Sequence, residues 1–557
     1  MGERRRGTHL RRYRQIAEVL VRHGLGSLVS AAGLERFLPF PRAVLGRTAL
    51  AEPPGRPARL RMALEELGTT FIKLGQILST RADLLPPEYQ AELARLQDQA
   101  RPVPGEIIRE ILVEELGRPI EELFSTFDPS PLAAASIGQA HAAVLRDGRE
   151  VVVKVRRPGV VEQVLEDLEI LQNLAATASR HWDLADQYDI VGLAQEFAQT
   201  LEAELDYVRE GRNAERIARA FAGDRGIHVP RVFWEATTSR VLTLERIRGI
   251  KISDLAALEE AGIDRSLLAR RAARIILKMV FEDGFFHADP HPGNFFIEPG
   301  GRIGLIDFGM VGIIDDRTQL QLVDVLLAVT GQDVDRLVDV LGEMGVIQRR
   351  VNRALLRRDL EHLLARYYGR PLGEIEITPL LNDALAIVRR HRLRFPPNLA
   401  LLAKTVAMNE GLGRQLDPSF NLTTVLVPYA RRMVVRQFSP RFWSRRLTRA
   451  SLDAIRLGME MPEQLRRMIA EIERGGLEVG MRPEGFEPVI QRLERLANRI
   501  VLGIITAAFV IGLAVLLAVY PPPGWQRWAG FVFATGFAVA AVLGVYLAWS
   551  ILRSGRP

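Results

Sequence analysis

Cysteine is absent from the whole chain of 557 residues, which excludes a disulfide framework, a thiolate metal site and a cysteine nucleophile. Lysine is nearly absent as well. Only Lys73, Lys154, Lys251, Lys278 and Lys404 occur among 74 basic residues, so each position that keeps lysine in this arginine-dominated chain is a candidate for needing a compact ammonium instead of a planar fork. The opening residues, Met-Gly-Glu-Arg-Arg-Arg, have no apolar run behind them, so no secretory signal is visible and the body is expected in the cytoplasm. Long low-complexity segments and internal repeats are also missing. What is present suits a folded protein of two globular lobes with additional elements: 48% apolar and 25% charged residues. A formal charge of +7 suggests anionic partners, either nucleic acid or phospholipid headgroups.

Residues 10–40 carry apolar positions at helical spacing (Ile16, Leu20, Val21, Leu25, Leu28) among Arg11, Arg12, Arg14 and Arg22. This basic amphipathic pattern fits either a membrane surface or the flank of the main body. Helical patterning recurs over 62–78, over 88–97 after Pro86-Pro87, and again beyond Pro102-Val-Pro104. A β-hairpin is read at 142–155, with a turn at Asp147-Gly148 and the β-branched run Glu150-Val-Val-Val-Lys-Val155. Helices are expected over 160–222 and strands over 231–247. Helix then dominates to about 475, except for 284–307, which is dense in His, Asp, Pro, Gly and Asn.

The C-terminal end differs in kind. Segments 500–520 and 529–552 are uncharged over 21 and 24 residues, each long enough to cross a bilayer. Arg492, Arg495 and Arg499 precede them and Arg553 and Arg556 follow, while the intervening loop holds only Arg527 with Trp525 and Trp528, which places both ends on the cytoplasmic side. The expectation is a two-pass anchor in the bacterial inner membrane. The glycines in these segments also permit a homodimer.

The strongest chemical signal is His287-Ala-Asp-Pro-His-Pro-Gly-Asn294 followed by Ile306-Asp-Phe-Gly309. An Asp, an Asn five residues on and a second Asp after a short apolar strand have the layout of a kinase catalytic loop and metal-binding turn. Asn294 and Asp307 would offer hard oxygens to Mg²⁺ on a nucleoside triphosphate, and Asp289 would orient or deprotonate the attacking hydroxyl. His287 reads as structural packing and His291 as a loop brace. Upstream, Val151-Val-Val-Lys154 has the form of the strand lysine that reaches the α- and β-phosphates, and Glu202, Glu204, Asp206 and Glu210 are candidates to hold it. Where a glycine-rich phosphate loop would stand, the chain has Leu132-Ala-Ala-Ala-Ser-Ile-Gly-Gln139, and alanine resists the positive φ that glycine permits. The same letters also suit the start of a helix.

Lys73-Leu-Gly-Gln76, Ser79-Thr-Arg-Ala-Asp-Leu-Leu-Pro86, Ala134-Ala-Ser-Ile-Gly-Gln-Ala-His141, Glu204-Leu-Asp206 and the 287–294 stretch together resemble the UbiB/AarF/ADCK family of atypical kinases, over about 60 to 420. The resemblance implies a mostly helical α+β fold: a two-lobed, protein-kinase-like body with an N-terminal helical extension and a C-terminal transmembrane hairpin. It implies binding of ATP and Mg²⁺, with Ala133, Ala134, Ala135, Ser136, Lys154 and Glu210 at the nucleotide and Asn294 and Asp307 at the metal. Lys73 and Gln76 would enter the pocket from the extension, Lys73 pairing with Glu204 and Asp206, while Glu210 pairs with Lys154. Thr69-Thr70 departs from the Gly-Pro turn of many relatives and alters a helix start.

Domains are placed at 1–58 (basic helical segment), 59–125 (extension), 126–248 and 249–430 (lobes), 431–498 (connector) and 499–553 (membrane helices). Function by resemblance is support of ubiquinone-type quinone biosynthesis through ATP-coupled handling of lipid precursors. A phosphotransferase acting on a protein or small molecule and a nucleotide-switched scaffold remain alternatives. The expected partners are the membrane and prenyl-quinone precursors or quinone-biosynthesis enzymes, and not nucleic acid. No Ala-Pro-Glu triplet follows Gly309, so a docking platform for peptide substrates is not evident.

Overall fold

The computed structural model describes residues 2–37, 55–81, 84–96, 100–181, 189–347, 351–367, 376–393 and 395–437, with isolated positions 531 and 535. The chain divides into two compact units, Met1–Ser444 and Arg445–Pro557. Among the described residues no helix is long and apolar enough to cross a membrane. The segments 500–520 and 529–552, apart from the two isolated positions, and the connector beyond 437 lie outside the described residues.

The first unit is a mostly helical α+β body. It opens with α1 (Gly2–Arg22) and α2 (Gly26–Ala31), separated at Gly24, whose φ of +70° ends the first helix. α3 (Arg56–Leu67), α4 (Thr69–Thr80) and α5 (Pro87–Leu93) follow. The continuous helix expected over 62–78 is broken at Gly68, where φ is +94° and a side chain would be strained. Ile16, Ala17 and Val19 of α1 are buried with Leu64, Leu67, Phe71 and Ile170, so the amphipathic face of α1 is spent against the body. A buried polar knot fixes this packing. Arg12 donates to both carboxylate oxygens of Asp167 at 2.7 and 3.0 Å and to the Leu67 carbonyl at 2.9 Å, while Thr70 Oγ1 donates to Asp167 at 2.7 Å. Thr70 therefore does more than start a helix.

Next come α6 (Gly105–Leu116), α7 (Ile120–Leu123) and three strands, β1 (Phe124–Ala134), β2 (Gly138–Leu145) and β3 (Glu150–Arg156). Helices α8 (Val160–His181), α9 (Ile190–Glu204) and α10 (Tyr207–Ala220) and strand β5 (Val241–Glu245) complete the upper lobe, while β4 (Ile227–His228), between α10 and β5 in the chain, joins a sheet of the lower lobe. β1, β2, β3 and β5 form an antiparallel sheet in that order. The alternation along β3 buries Val151, Val153 and Val155 under the sheet and turns Val152 and Lys154 to its other face. β1 is not among the strands expected from the sequence, and it contains Pro129 and Pro131. It tolerates them as an edge strand whose register shifts around Pro131.

The lower lobe contains β6 (Ile250–Lys251), α11 (Leu255–Glu260), α12 (Arg265–Lys278), β7 (Phe285–His287), β8 (Phe295–Glu298), β9 (Arg302–Leu305) and β10 (Val311–Ile313). Helices α13 (Asp316–Gly331), α14 (Val334–Glu343), α15 (Arg353–Arg366), α16 (Ile377–Arg390), α17 (Pro397–Leu416) and α18 (Leu422–Gln437) follow. β4, β9, β8 and β6 form one small sheet, and β10 pairs antiparallel with β7. After Gly309 the short strand β10 precedes α13, and its pairing with β7 closes the two ends of the 288–310 segment. Phe286, Phe295 and Phe308 are fully buried beneath it. Glu410 on α17 is buried and accepts from the backbone N–H groups of Ile377 and Thr378 at 3.0 and 2.6 Å, which caps α16 and locks the two helices together.

Asp167 is wholly buried and Arg12 nearly so, and removing one partner of such a pair strands the other charge. Asp167→Ala is expected to cost about 3 to 5 kcal/mol in denaturant unfolding. Arg14→Ala, which breaks the exposed pair with Glu18, should cost less than about 1 kcal/mol.

Candidate functional site: a cleft between the lobes

A cleft of about 630 Å³ lies between the β1–β2–β3 sheet and the β7–β10 region, lined by Ala133, Lys154, Asp289, Asn294 and Asp307 among others. Period-two alternation puts Lys154 on its roof, and Glu210, one turn into α10, meets the ammonium at 2.5 Å. Glu210 also lies 3.4 Å from the Phe308 N–H, and Asn213, three residues along the same helix, donates to the Phe308 carbonyl at 3.0 Å. One helix face therefore fixes both the strand lysine and the Asp-Phe-Gly turn.

Burial opposes the Lys154 charge, but the carboxylates of Glu210 and Asp307 outweigh it and hold its pKa above the ordinary lysine value. Burial likewise works against the charge on Asp307. Lys154, the Gly309 N–H at 2.8 Å and the more distant Lys73 overcome it and bring the carboxyl down to about 2. Asp307 is thus an anion at neutral pH.

On the floor, His287 is buried and desolvation lowers its pKa, so it is neutral. Its Nδ1 accepts from the Asp289 N–H at 3.1 Å, leaving the proton on Nε2, which donates to the Asp307 carbonyl at 2.7 Å. One imidazole thereby ties the 287–294 loop to the Asp-Phe-Gly turn. His291 Nδ1 accepts from the Gly293 N–H at 3.1 Å and braces the loop. Asn294 Nδ2 donates to the Asp289 carbonyl at 3.1 Å, which commits the amide's donor inside the loop and leaves Oδ1 as its acceptor. Asn294 Oδ1 and an ionised Asp307 make a hard-oxygen donor set that fits Mg²⁺. Among the described residues no group of three His, Cys, Asp or Glu side chains could hold a metal, so a cation in this cleft would take its other ligands from phosphate and water.

The alanine-rich stretch is strand and turn, not the start of a helix. Ala133 pairs with Ala140 and Ala134 with Gln139, and the Ala135 N–H donates to the Gly138 carbonyl at 2.8 Å. None of the alanines adopts positive φ. Ala133 and Ala135 line the cleft, whereas Ala134 and Ser136 are not among its lining residues and Ser136 is buried. Gly138 is the position that requires glycine: a Cβ there would lie 2.1 Å from the Tyr207 hydroxyl and 2.8 Å from the Val155 carbonyl.

From the extension, Lys73 on α4 enters the cleft and pairs with Glu204 at 3.1 Å. Asp206 accepts from the Val208 N–H at 3.0 Å and caps α10. Gln76 Nε2 donates to the Leu96 carbonyl at 3.1 Å, bracing α4 on the segment after α5, and is not among the lining residues. Sequence reasoning missed Lys404: from α17 its ammonium donates to Asp289 Oδ1 at 2.9 Å. The scarcity of lysine was the available signal, and Lys251 also lines the cleft.

A small antiparallel sheet whose lysine is paired to a helix glutamate, set above an Asp-x₄-Asn loop and an Asp-Phe-Gly turn, defines a kinase-like fold. The ABC1 atypical kinase-like domain matches residues 95–341, the UbiB helical domain 360–421 and the ABC1/UbiB kinase-like C-terminal domain 484–553. Two proteins named "Probable protein kinase UbiB" are similar along nearly their whole length. That of Xylella fastidiosa (strain 9a5c) is 34% identical over 534 residues, 93% of this chain and 97% of its own. That of Xanthomonas campestris pv. campestris (strain 8004) is 35% identical over 547 residues, 96% of this chain and 98% of its own. The chain belongs to the UbiB family of atypical kinase-like proteins. A solved structure, the complex of Rv3197 with erythromycin from Mycobacterium tuberculosis, is 28% identical and covers 64% of this chain and 90% of its own, with a TM-score of 0.46.

Gly138→Ala drives a methyl into Tyr207 and should lower stability by about 1 to 3 kcal/mol, read from the denaturant midpoint. An unchanged midpoint would show that Tyr207 yields freely.

Proposed function

We propose that the chain binds Mg-ATP in this cleft and cleaves its terminal phosphoanhydride, serving isoprenoid-quinone biosynthesis from a membrane to which segments 500–520 and 529–552 anchor it. The observation that carries the nucleotide reading is the meeting of Lys154, Asp289, Asn294 and Asp307 around one cleft, with an ionised Asp307 beside a charged Lys154. Lys154 would hold the α- and β-phosphates, and Asn294 and Asp307 would hold Mg²⁺. When bound, the metal screens the charge of the triphosphate. Asp289 would orient the attacking hydroxyl and take up its proton as the bond to the γ-phosphorus forms and the bridging oxygen leaves with ADP.

Water or a small acceptor hydroxyl suits the site better than a protein chain. Lys73 projects into the cleft from α4, and α4 also approaches α17 of the lower lobe, so the space a peptide would need is walled. The quinone role rests on the family and on full-length similarity to relatives carrying the UbiB name. The membrane reading rests on the uncharged lengths and arginine flanks of the C-terminal segments.

Calorimetric titration of the purified chain with ATP should show binding that is lost on chelating Mg²⁺. Asp307→Asn is expected to weaken Mg-dependent binding and to lower turnover on the order of 100-fold. Full Mg-ATP binding and turnover in Asp307→Asn would sink the reading.

A further inference from the structure

Asp289 is held in two ways. Its backbone is fixed within the loop, the N–H to His287 Nδ1 at 3.1 Å and the carbonyl to Asn294 Nδ2 at 3.1 Å. Its carboxylate is held from outside the loop, by Lys404 Nζ at 2.9 Å, across 115 residues of sequence. These bonds divide the work: the loop sets where the residue stands, and Lys404 sets where its carboxylate points.

The donor's scaffold is rigid. Lys404 is on a helix of 20 residues that packs on α12 and α16 and approaches β10, and Glu410 further along it is buried and bonded to the first N–H groups of α16. The Lys404 side chain is four-fifths buried, and that of Asp289 about two-thirds. Such a pair is little screened, and the compact ammonium bonds Asp289 Oδ1 here, which leaves Oδ2 to accept from the attacking hydroxyl. A guanidinium at the same place would tend to take both oxygens in a fork. That difference gives a physical reason for lysine here, in a chain whose basic residues are otherwise almost all arginine.

We propose that Lys404 is a positioning residue for the reaction at Asp289, engaging one carboxylate oxygen so that the other faces the attacking hydroxyl. This rests on the nucleotide-turnover reading above and adds α17 to the parts that build the reacting centre. Lys404 acts through Asp289 and not by holding nucleotide, so its removal slows turnover without loosening Mg-ATP.

The test uses the full-length chain in detergent or nanodiscs, with Mg-ATP as the probe, and compares wild type, Lys404→Met, Asp289→Asn and the double variant. Lys404→Met is expected to bind Mg-ATP within about twofold of wild type and to lose about 10- to 100-fold in kcat with KM little changed, the size of effect that misplacing a reacting group produces. In the Asp289→Asn background the same substitution should cost nothing further, since residues acting as one unit are not additive. Turnover of Lys404→Met equal to wild type overturns the inference alone. So does a double variant slower than Asp289→Asn by the full factor, or a rise in KM with kcat unchanged. A wild-type chain that binds no Mg-ATP overturns the nucleotide reading and the inference with it. Should Lys404→Met fail to fold, Lys404→Gln, whose uncharged amide ends one bond short of the ammonium and so gives up the contact to Asp289, replaces it in the same cycle with the same outcomes.

Discussion

The ion pair between Lys154 and Glu210 is the contact on which the cleft depends. At 2.5 Å and an effective dielectric of roughly 20 its attraction is on the order of 7 kcal/mol, and taking each ion out of water costs several kcal/mol in return. Net stability is therefore a weak explanation for keeping it. Position is a better one, because Glu210 reaches the Phe308 N–H with the same carboxylate that holds Lys154, and Asn213 secures the Phe308 carbonyl. A strand of the upper lobe and the metal turn of the lower lobe are referred to one helix. His287 completes the frame by joining Asp289 to Asp307 through the two nitrogens of one neutral ring.

What was legible in the sequence was local. The Asp-x₄-Asn loop, the Asp-Phe-Gly turn and the strand lysine each occupy a few consecutive residues whose order is itself the chemistry, and the structure gathers them at one cleft. What was illegible depended on tertiary context. β1 hides behind Pro129 and Pro131, which an interior strand would not accept and an edge strand does. The break at Gly68 hides because one glycine inside a helical pattern is normally tolerated, and only its φ of +94° shows that the chain turns there. Asp206 and Gln76 are similar in kind. Residue types that can enter a pocket can equally cap a helix or brace a loop, and in this chain Asp206 caps α10 while Gln76 bonds the Leu96 carbonyl.

The extension is tied to the body at a distance from the cleft it covers. Asp167 on α8 collects Arg12 from α1 and Thr70 from the first turn of α4, and Lys73 follows Thr70 by three residues, close to one turn along the same helix. The reach of Lys73 toward Glu204 is therefore set partly by a knot none of whose three members lines the cleft. The basic N-terminal helix gains a specific role from this, since Arg12 neutralises a carboxylate that would otherwise be buried alone beneath α4.

The five lysines make the same point for the whole site. Lys73, Lys154 and Lys251 line the cleft, and Lys404 holds the carboxylate at its floor. The remaining one, Lys278, sits over the Phe221 ring at 4.4 Å and donates to Asp283 and to the Ala220 carbonyl at the end of α10, a confined place where three donors on one nitrogen fit. A composition drawn strongly toward arginine has kept ammonium groups where charge must be delivered from a point. Around the triphosphate proposed for this cleft, a compact cation would address one oxygen and leave its neighbours to the metal, whereas a broad fork would compete for them.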